Sequence, residues 1–256
     1  MIIIKREINI FFTGLSFFTR IPFPKWLKFK KEYQYEAIKY FPLSGFIIGT
    51  FAGLIFYLAN IFLPFQLSVI LSMGLTVLFT GGLHEDGFMD VCDGFGGGWT
   101  RERILEIMKD SLIGAFGVTG IVFLILTKYF CQYSISASQL PLILIAAHTS
   151  TRMVAATLVN THQYARVENS KAKNYTQKLS VGNFLFTIIT GIFPILFLGH
   201  IKFLLILIPV YLSKILLGRY FNKWIGGFTG DCIGATQQVC EIVFYLSYIV
   251  ILNHIY

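Results

Sequence analysis

Long apolar runs alternate with short polar segments along most of this chain. The stretches long enough to cross a bilayer as helices lie at 41–62, 65–83, 112–130, 140–160, 181–199, 202–217 and 238–256. Because lipid offers no hydrogen-bond partners to backbone groups, each such stretch is expected to be helical. The pattern predicts an all-α, polytopic integral-membrane bundle of about seven transmembrane helices, with residues 1–256 as one membrane-embedded domain.

The first apolar stretch, residues 8–19, is too short to span a bilayer. It lacks a signal-peptidase cleavage pattern and is followed by further basic residues, which argues against a secretory signal. Two prolines within residues 20–24 prevent a helix from continuing through that segment. We therefore predict an N-terminal interfacial helix that ends near residue 20.

Composition and charge support a membrane protein and predict its orientation. The mean hydropathy is +0.68, 55% of residues are hydrophobic, and only 13% are charged. The first 40 residues carry eight basic side chains, and basic residues recur in alternate loops at Arg101, Arg103, Lys109, Arg166, Lys171, Lys173, Lys178, Arg219 and Lys223. The positive-inside rule then predicts a multi-pass protein of the cell (inner) membrane with a cytoplasmic N terminus. The net charge of +8 indicates topology and contact with the lipid bilayer, so no nucleic acid partner is expected.

Acidic residues are concentrated in one segment, where seven of the thirteen lie between positions 85 and 110. Asp86, Asp90 and Asp93 follow an i, i+4, i+7 spacing, which places them on one face of a helix. Three neighbouring carboxylates repel one another, and a divalent cation relieves that repulsion. Hard oxygen ligands favour Mg²⁺ or Mn²⁺ over zinc. The alternative is a solvated loop with helix-capping aspartates.

Glycines surround these aspartates. Gly87 is expected to leave room for a substrate, and Gly94, Gly96, Gly97 and Gly98 are expected to form a loop whose amides cradle phosphate oxygens. Glycine loops alone are weak evidence, but beside a metal-binding face they indicate a site for a phosphate and a metal.

A second polar segment, residues 224–235, faces the same compartment as the first in the predicted topology. Two such segments at one membrane face favour a single site between helices, which makes Asp231 a candidate metal ligand. Arg152 lies within the fourth predicted span and is expected to pair with the aspartates or with a substrate phosphate. The alternative for Arg152 is snorkelling toward the interface. His148, four residues earlier, is expected to serve helix packing.

The residues in several ordered segments resemble a known family, the adenosylcobinamide-GDP ribazoletransferases, or cobalamin synthases. The resemblance rests on GGLHEDGFMDVCDG at 81–94, RILEIMKDSLIGAFG at 103–117 and GFTGDCIGA at 227–235, with FTRIP at 18–22 and FPLSG at 41–45. It implies a Mg²⁺-dependent membrane transferase that joins α-ribazole, or its 5′-phosphate, to adenosylcobinamide-GDP and releases GMP.

For this chemistry we expect Asp86, Asp90 and Asp93 to be metal ligands and Arg152 to hold the diphosphate. Either Asp93 or His84 is expected to be the base that accepts the hydroxyl proton. Two positions depart from the family pattern. Glu85 stands where the family is expected to have leucine, and Gln238 where a carboxylate is expected, which puts a possible ligand in doubt.

Two other functions compete with this one, and a homo-oligomer is compatible with any of them. A CDP-alcohol phosphotransferase would release CMP, but its expected Asp-Gly-x-x-Ala-Arg start is absent, because Phe88, Met89 and Asp90 follow Gly87. A metal-coupled transporter would be expected to show repeated halves and charges near the membrane midplane.

Overall fold

The computed structural model describes residues 2–166 and 178–254, and within these ranges every regular element is a helix. The α-helices in chain order are α1 (Ile2–Phe18), α2 (Lys31–Glu36), α3 (Phe41–Phe62), α4 (Phe65–Thr80), α5 (Leu83–Gly97), α6 (Arg101–Ile107), α7 (Ala115–Tyr133), α8 (Leu140–Ala156), α9 (Leu158–Thr161), α10 (Val181–Ile192), α11 (Leu207–Ile225) and α12 (Gly230–Asn253). Short 3₁₀ segments at Ala37–Tyr40, Phe193–Phe197 and Ile201–Ile206 adjoin α3, α10 and α11.

Within the described ranges, five helical stretches are long and apolar enough to cross a membrane: Lys31–Phe62, Ala115–Tyr133, Leu140–Thr161, Ile201–Ile225 and Gly230–Asn253. The number rises to six if α4 and α5 together form one bent span. Val181–Phe197 is a shorter apolar helix. The predicted all-α, multi-pass membrane bundle is thus confirmed, and the expected seven spans become five or six by these criteria.

The chain bends by 88° between α4 and α5. Gly81 and Gly82 both adopt left-handed backbone angles, with φ of 73° and 70°, so α4 ends at Thr80 and a new direction begins at Leu83. The predicted span 65–83 therefore ends too late, because α4 stops at Thr80. The last span begins earlier than predicted, at Gly230, and the end predicted for it at residue 256 lies outside the described residues.

The centre of the bundle is α8, the most enclosed of the spans. It packs closely on α3, because Gly45, Gly49 and Gly53 line the contact. A Cβ atom built on Gly49 would lie 2.6 Å from the Cα of Ile145, so only glycine allows this approach. Small residues are a common device for bringing membrane helices together.

The N-terminal helix α1 is longer than the predicted segment but ends where expected, before the prolines. Helix α1 is not one of the described helices that are long and apolar enough to cross a membrane. It is fixed to α2 and the 3₁₀ segment behind it, since Lys39 pairs with Glu7 at 2.6 Å and Arg6 with Glu36 at 2.5 Å. These contacts hold Phe18 of α1 against Phe41 of α3.

Candidate active site

The helix α5 carries the predicted acidic face. Asp86 is exposed and Asp90 is half-buried. Neither carboxylate makes a hydrogen bond or an ion pair with any residue in the described ranges. Since α5 is continuous from Leu83 to Gly97, the predicted helical spacing of the aspartates is present in the structure. Two carboxylates without partners at the surface of a bundle are available to a ligand.

Asp93 differs from the other two aspartates. It is 9% exposed, and its two oxygens accept hydrogen bonds from the backbone N–H groups of Gly114 and Gly117, each at 2.8 Å. These N–H groups belong to the start of α7, where the helix dipole favours a negative charge. A Cβ atom at either glycine would run into the carboxylate. Asp93 therefore joins α5 to the first turn of α7.

The second polar segment meets the first at the same end of the bundle. A Cβ atom on Gly87 of α5 would lie 3.0 Å from the Cα of Asp231, and one on Gly234 of α12 would lie 3.2 Å from the Cα of His84. Two glycines thus bring the backbones of α5 and α12 together and place Asp231 beside the acidic face. Gly87 serves this helix contact, and the prediction that it leaves room for a substrate is wrong.

The loops around this end are linked to one another. The guanidinium of Arg101 donates to the carbonyl oxygens of Ala165 at 2.9 Å and Ile225 at 3.1 Å. Residues 163–165 also pair with Phe228, whose N–H donates to the carbonyl of Gln163 at 2.9 Å. These bonds fix the approach to α12 against the segment that leaves α9.

Arg166 is the cation at this end of the bundle that the sequence did not single out. Its Nη2 donates to the Oδ2 of Asp231 at 3.0 Å and to the carbonyl of Met108 at 3.2 Å. Thr229 also donates to Oδ2 of Asp231. The other oxygen, Oδ1, accepts no hydrogen bond from the residues described. Sequence reasoning used Arg166 only as a topological charge, and its 65-residue separation from Asp231 gave no signal.

We refer to Asp86, Asp90 and Asp231 as the acidic rim. The charges of Asp86 and Asp231 both act on Asp90, so the three carboxylates are electrostatic neighbours. Across the residues that the structure describes, no three His, Cys, Asp or Glu side chains converge as a preformed metal cage. Mg²⁺ is commonly held by one or two carboxylates together with substrate phosphates and water, and the all-oxygen rim fits that mode.

The predicted phosphate-binding glycine loop is wrong. Gly94, Gly96 and Gly97 lie within α5, and Gly98 is the residue that caps it. The space beside them is filled, since a Cβ on Gly94 would lie 2.5 Å from Met108 and one on Gly98 would lie 2.6 Å from Ile104. These glycines let α6 and its flanking residues pack on α5.

His84 lies one turn before the aspartates and is 3% exposed. Its ring stacks near Phe41, with centroids 5.3 Å apart, and near Phe18 at 6.3 Å. Its imidazole nitrogens make no hydrogen bond to a residue in the described ranges. The ring instead lines a cavity that also includes Asp231.

Arg152 belongs to a different group of polar side chains, deeper in the bundle. It is 2% exposed, donates to the carbonyl of His148 at 3.1 Å, and lies 3.0 Å from Nδ1 of the same residue. It forms no ion pair with the four predicted aspartates. Nearby, Lys128 of α7 pairs with Glu241 of α12 at 3.1 Å.

Glu85 and Gln238, the two positions that the sequence analysis singled out as unusual, contact each other in this group. Gln238 donates from Nε2 to the Oε1 of Glu85 at 2.9 Å, and its Oε1 accepts from Lys128. A carboxylate of α5 and an amide of α12 are thus joined across the contact between these two helices. We call Glu85, Lys128, His148, Arg152, Gln238 and Glu241 the buried polar network.

Comparison with known proteins shows the family of the chain. The family model described as cobalamin-5-phosphate synthase matches residues 10–249. A protein of Shewanella frigidimarina (strain NCIMB 400) named adenosylcobinamide-GDP ribazoletransferase is 41% identical over 247 residues, which cover 94% of each chain. A protein of the same name from Shewanella sp. (strain W3-18-1) is 39% identical over 251 residues, covering 96% of this chain and 95% of its own. No solved structure matches the chain. The chain therefore belongs to the cobalamin-5-phosphate synthase family.

Proposed function

We propose that this protein transfers the adenosylcobinamide phosphate of adenosylcobinamide-GDP to α-ribazole, or to α-ribazole 5′-phosphate, with release of GMP. The product is adenosylcobalamin or its 5′-phosphate. The observation that carries the proposal is the acidic rim, in which Asp86 and Asp90 have no partner among the described residues and adjoin Asp231. Relatives of nearly equal length carry the corresponding name.

The reaction is a displacement at phosphorus. A ribose hydroxyl oxygen of the acceptor forms a bond to the phosphorus attached to cobinamide, while the bond from that phosphorus to the bridging oxygen breaks. GMP departs with the bridging oxygen and its electron pair, and the hydroxyl proton passes to a base. The protein must position two substrates and balance the negative charge of the diphosphate.

Mg²⁺ is proposed as the cofactor, with Asp86, Asp90 and Asp231 as the oxygen ligands. When bound there, the ion would supply positive charge to the diphosphate oxygens. Asp93 then acts as a positioning residue, because its two oxygens already accept backbone hydrogen bonds from the start of α7. Arg166, held at the rim by Asp231, is the guanidinium placed to contact the diphosphate.

His84 is the better candidate of the two predicted bases. Its nitrogens have no hydrogen-bond partner in the described ranges, and its ring shares a cavity with Asp231. Asp93 is engaged by two N–H groups. Arg152 is enclosed behind this site, so we assign it a supporting role in the buried polar network and no direct contact with the diphosphate.

We place the acidic rim at the cytoplasmic side of the inner membrane. Arg101 and Arg166, which the positive-inside rule assigns to the cytoplasm, lie at the rim end of the bundle through their contacts with Ala165 and Asp231. Lys171 and Lys173, which contributed to the predicted orientation, lie outside the described residues.

The test is direct. Detergent-purified protein incubated with adenosylcobinamide-GDP, α-ribazole and Mg²⁺ should release one GMP for each cobalamin formed, and chelation of Mg²⁺ should stop the reaction. Absence of GMP release under conditions where the protein remains folded would overturn the proposal. Release of CMP from a CDP-alcohol, or metal-driven uptake into vesicles, would point to one of the two competing functions.

A further inference from the structure

A cavity of about 360 Å³ adjoins the acidic rim between α1, α5 and α12. Its walls are mainly aromatic and aliphatic, with rings supplied by Phe18, Tyr35, Phe41, Tyr164 and Phe228. Cavities that bind small ligands are typically of this size and apolar, with a few polar groups that fix orientation.

The charges around the cavity limit what it can hold. Of the described residues that line it, Asp231 is the one carboxylate, and no lysine or arginine is among them. A phosphate would meet no positive side chain there, and Asp231 would repel it. The lining therefore selects an uncharged, flat occupant that stacks on aromatic rings.

His84 supplies the second observation. This residue is 3% exposed, and its ring lines the cavity. The ring makes no hydrogen bond to the residues described. An imidazole that lines the cavity and makes no hydrogen bond to the described residues is available to a ligand with a complementary donor or acceptor. A benzimidazole-type base presents one ring nitrogen and an otherwise apolar perimeter.

We propose that this cavity binds the aromatic base of the nucleoside acceptor, with the ribose directed toward Asp231 and a ribose hydroxyl facing His84. The assignment rests on the proposed function, since it names where one of its two substrates binds. It also accounts for α1, whose Phe17 and Phe18 form part of the wall. The N-terminal helix is thereby part of the substrate site.

The test fills the cavity. Val159 of α9 lines it and is partly exposed, so Val159→Trp places a large ring in the space for the base. We expect the KM for α-ribazole to rise about tenfold or more, in line with the effect of altered volume in an apolar pocket. The KM for adenosylcobinamide-GDP should remain within a factor of about two. Val122→Trp on α7, where the side chain is 48% exposed away from the cavity, is the matched control and should change neither constant.

A second variant covers the case in which Val159→Trp fails to fold. Val159→Ala enlarges the cavity and should lower the KM for a nucleoside with a wider base, such as a naphthimidazole, relative to α-ribazole. An increase confined to the KM of adenosylcobinamide-GDP, or no change in either variant, would overturn the assignment.

Equilibrium dialysis separates failure of this assignment from failure of the proposed function. Labelled α-ribazole should bind the wild-type protein without the second substrate, bind Val159→Trp or Val159→Ala differently, and not be displaced by GMP. Wild-type protein that binds α-ribazole but releases no GMP would contradict the proposed function alone. Wild-type protein that releases GMP while both variants keep normal α-ribazole binding would contradict the cavity assignment alone.

Discussion

The acidic rim and the buried polar network both place carboxylates on α5 and α12, but their carboxylates are paired differently. In the network, Glu241 pairs with Lys128 at 3.1 Å and accepts hydrogen bonds from Gln237 at 2.6 Å and Tyr245 at 3.2 Å. At the rim, Asp86 and Asp90 have no partner in the described part of the chain.

This difference separates structural charge from charge that is available to a ligand. In the network, neighbouring side chains satisfy the carboxylate of Glu241, which in return holds those helices in register, while Oε2 of Glu85 has no hydrogen-bond partner among the described residues. At the rim, Asp231 is paired with Arg166, whereas Asp86 and Asp90 have no protein partner in the described ranges and are available to a cation or substrate. Substitutions in the two regions should therefore differ in whether they change activity or stability.

The largest effect is expected at the rim. Asp90→Asn removes a carboxylate that makes no hydrogen bond or ion pair in the described ranges, so GMP release should fall by about 10²–10³-fold or more, as for loss of one preorganised catalytic group. Its unfolding temperature should change little. Glu102→Gln, an exposed acid on α6, is the matched control. Near-normal turnover by Asp90→Asn would mean that the rim holds no catalytic metal.

The next effect concerns the network and should appear as instability. Lys128→Met leaves Glu241 as a buried charge without its lysine, which costs roughly 3–5 kcal/mol when one partner of a buried pair is removed. Thermal unfolding in detergent should detect the loss. Adding Glu241→Gln to the same chain should recover part of it. If Lys128→Met kept normal stability but lost catalysis, Lys128 would have a catalytic role, and the network would not differ from the rim in function.

A smaller effect is expected where the two regions share a helix contact. Gly87→Ala places a methyl group 3.0 Å from the Cα of Asp231, which should separate α5 from α12 and cost about 1–3 kcal/mol, as overpacking does. Activity should fall with stability, since Asp231 moves relative to Asp90. Gly74→Ala in α4 meets nothing within 4 Å and should be neutral or slightly stabilising.

The smallest effect tests the contact between Glu85 and Gln238. Glu85→Leu alone should destabilise the protein, because the Nε2 group of Gln238 loses its acceptor. Adding Gln238→Glu should restore a carboxylate beside Lys128. We expect a coupling energy of about 0.5–3 kcal/mol in a double-mutant cycle of unfolding measurements. Additive effects would show that the two positions act independently.

Much of the fold was predictable, because its signals are local. Hydrophobic length indicates which segments are membrane helices, and the 3.6-residue period indicates that Asp86 and Asp90 share a face of α5. The bend between α4 and α5 was missed. A pair of glycines permits left-handed angles without requiring them, so Gly81 and Gly82 did not distinguish a continuous span from a turn of 88°.

The site was predicted in part. The approach of Asp231 to α5 followed from topology, and the structure shows it. The ion pair of Arg166 with Asp231 joins residues with no periodic relation, and the partners of Asp93 are backbone N–H groups that any residue carries. Arg152 was assigned to the diphosphate because charge inside a span signals function, but burial and its bonds to His148 place it in the network. Side-chain pairing decided these roles, and sequence spacing does not report it.

The position of Asp93 affects how mutational surveys of this enzyme family should be interpreted. Asp93 lies in the same acidic motif as two candidate metal ligands, yet it is hydrogen-bonded to the first turn of the following span. We expect its substitution to abolish growth or turnover in a mutational screen. In Asp93→Asn, an amide NH₂ would face a backbone donor, so the two helices would lose their alignment while every reacting group stayed intact. We therefore expect inactivity at this residue to be a defect of assembly, which a structural readout such as thermal unfolding would distinguish from a defect of chemistry.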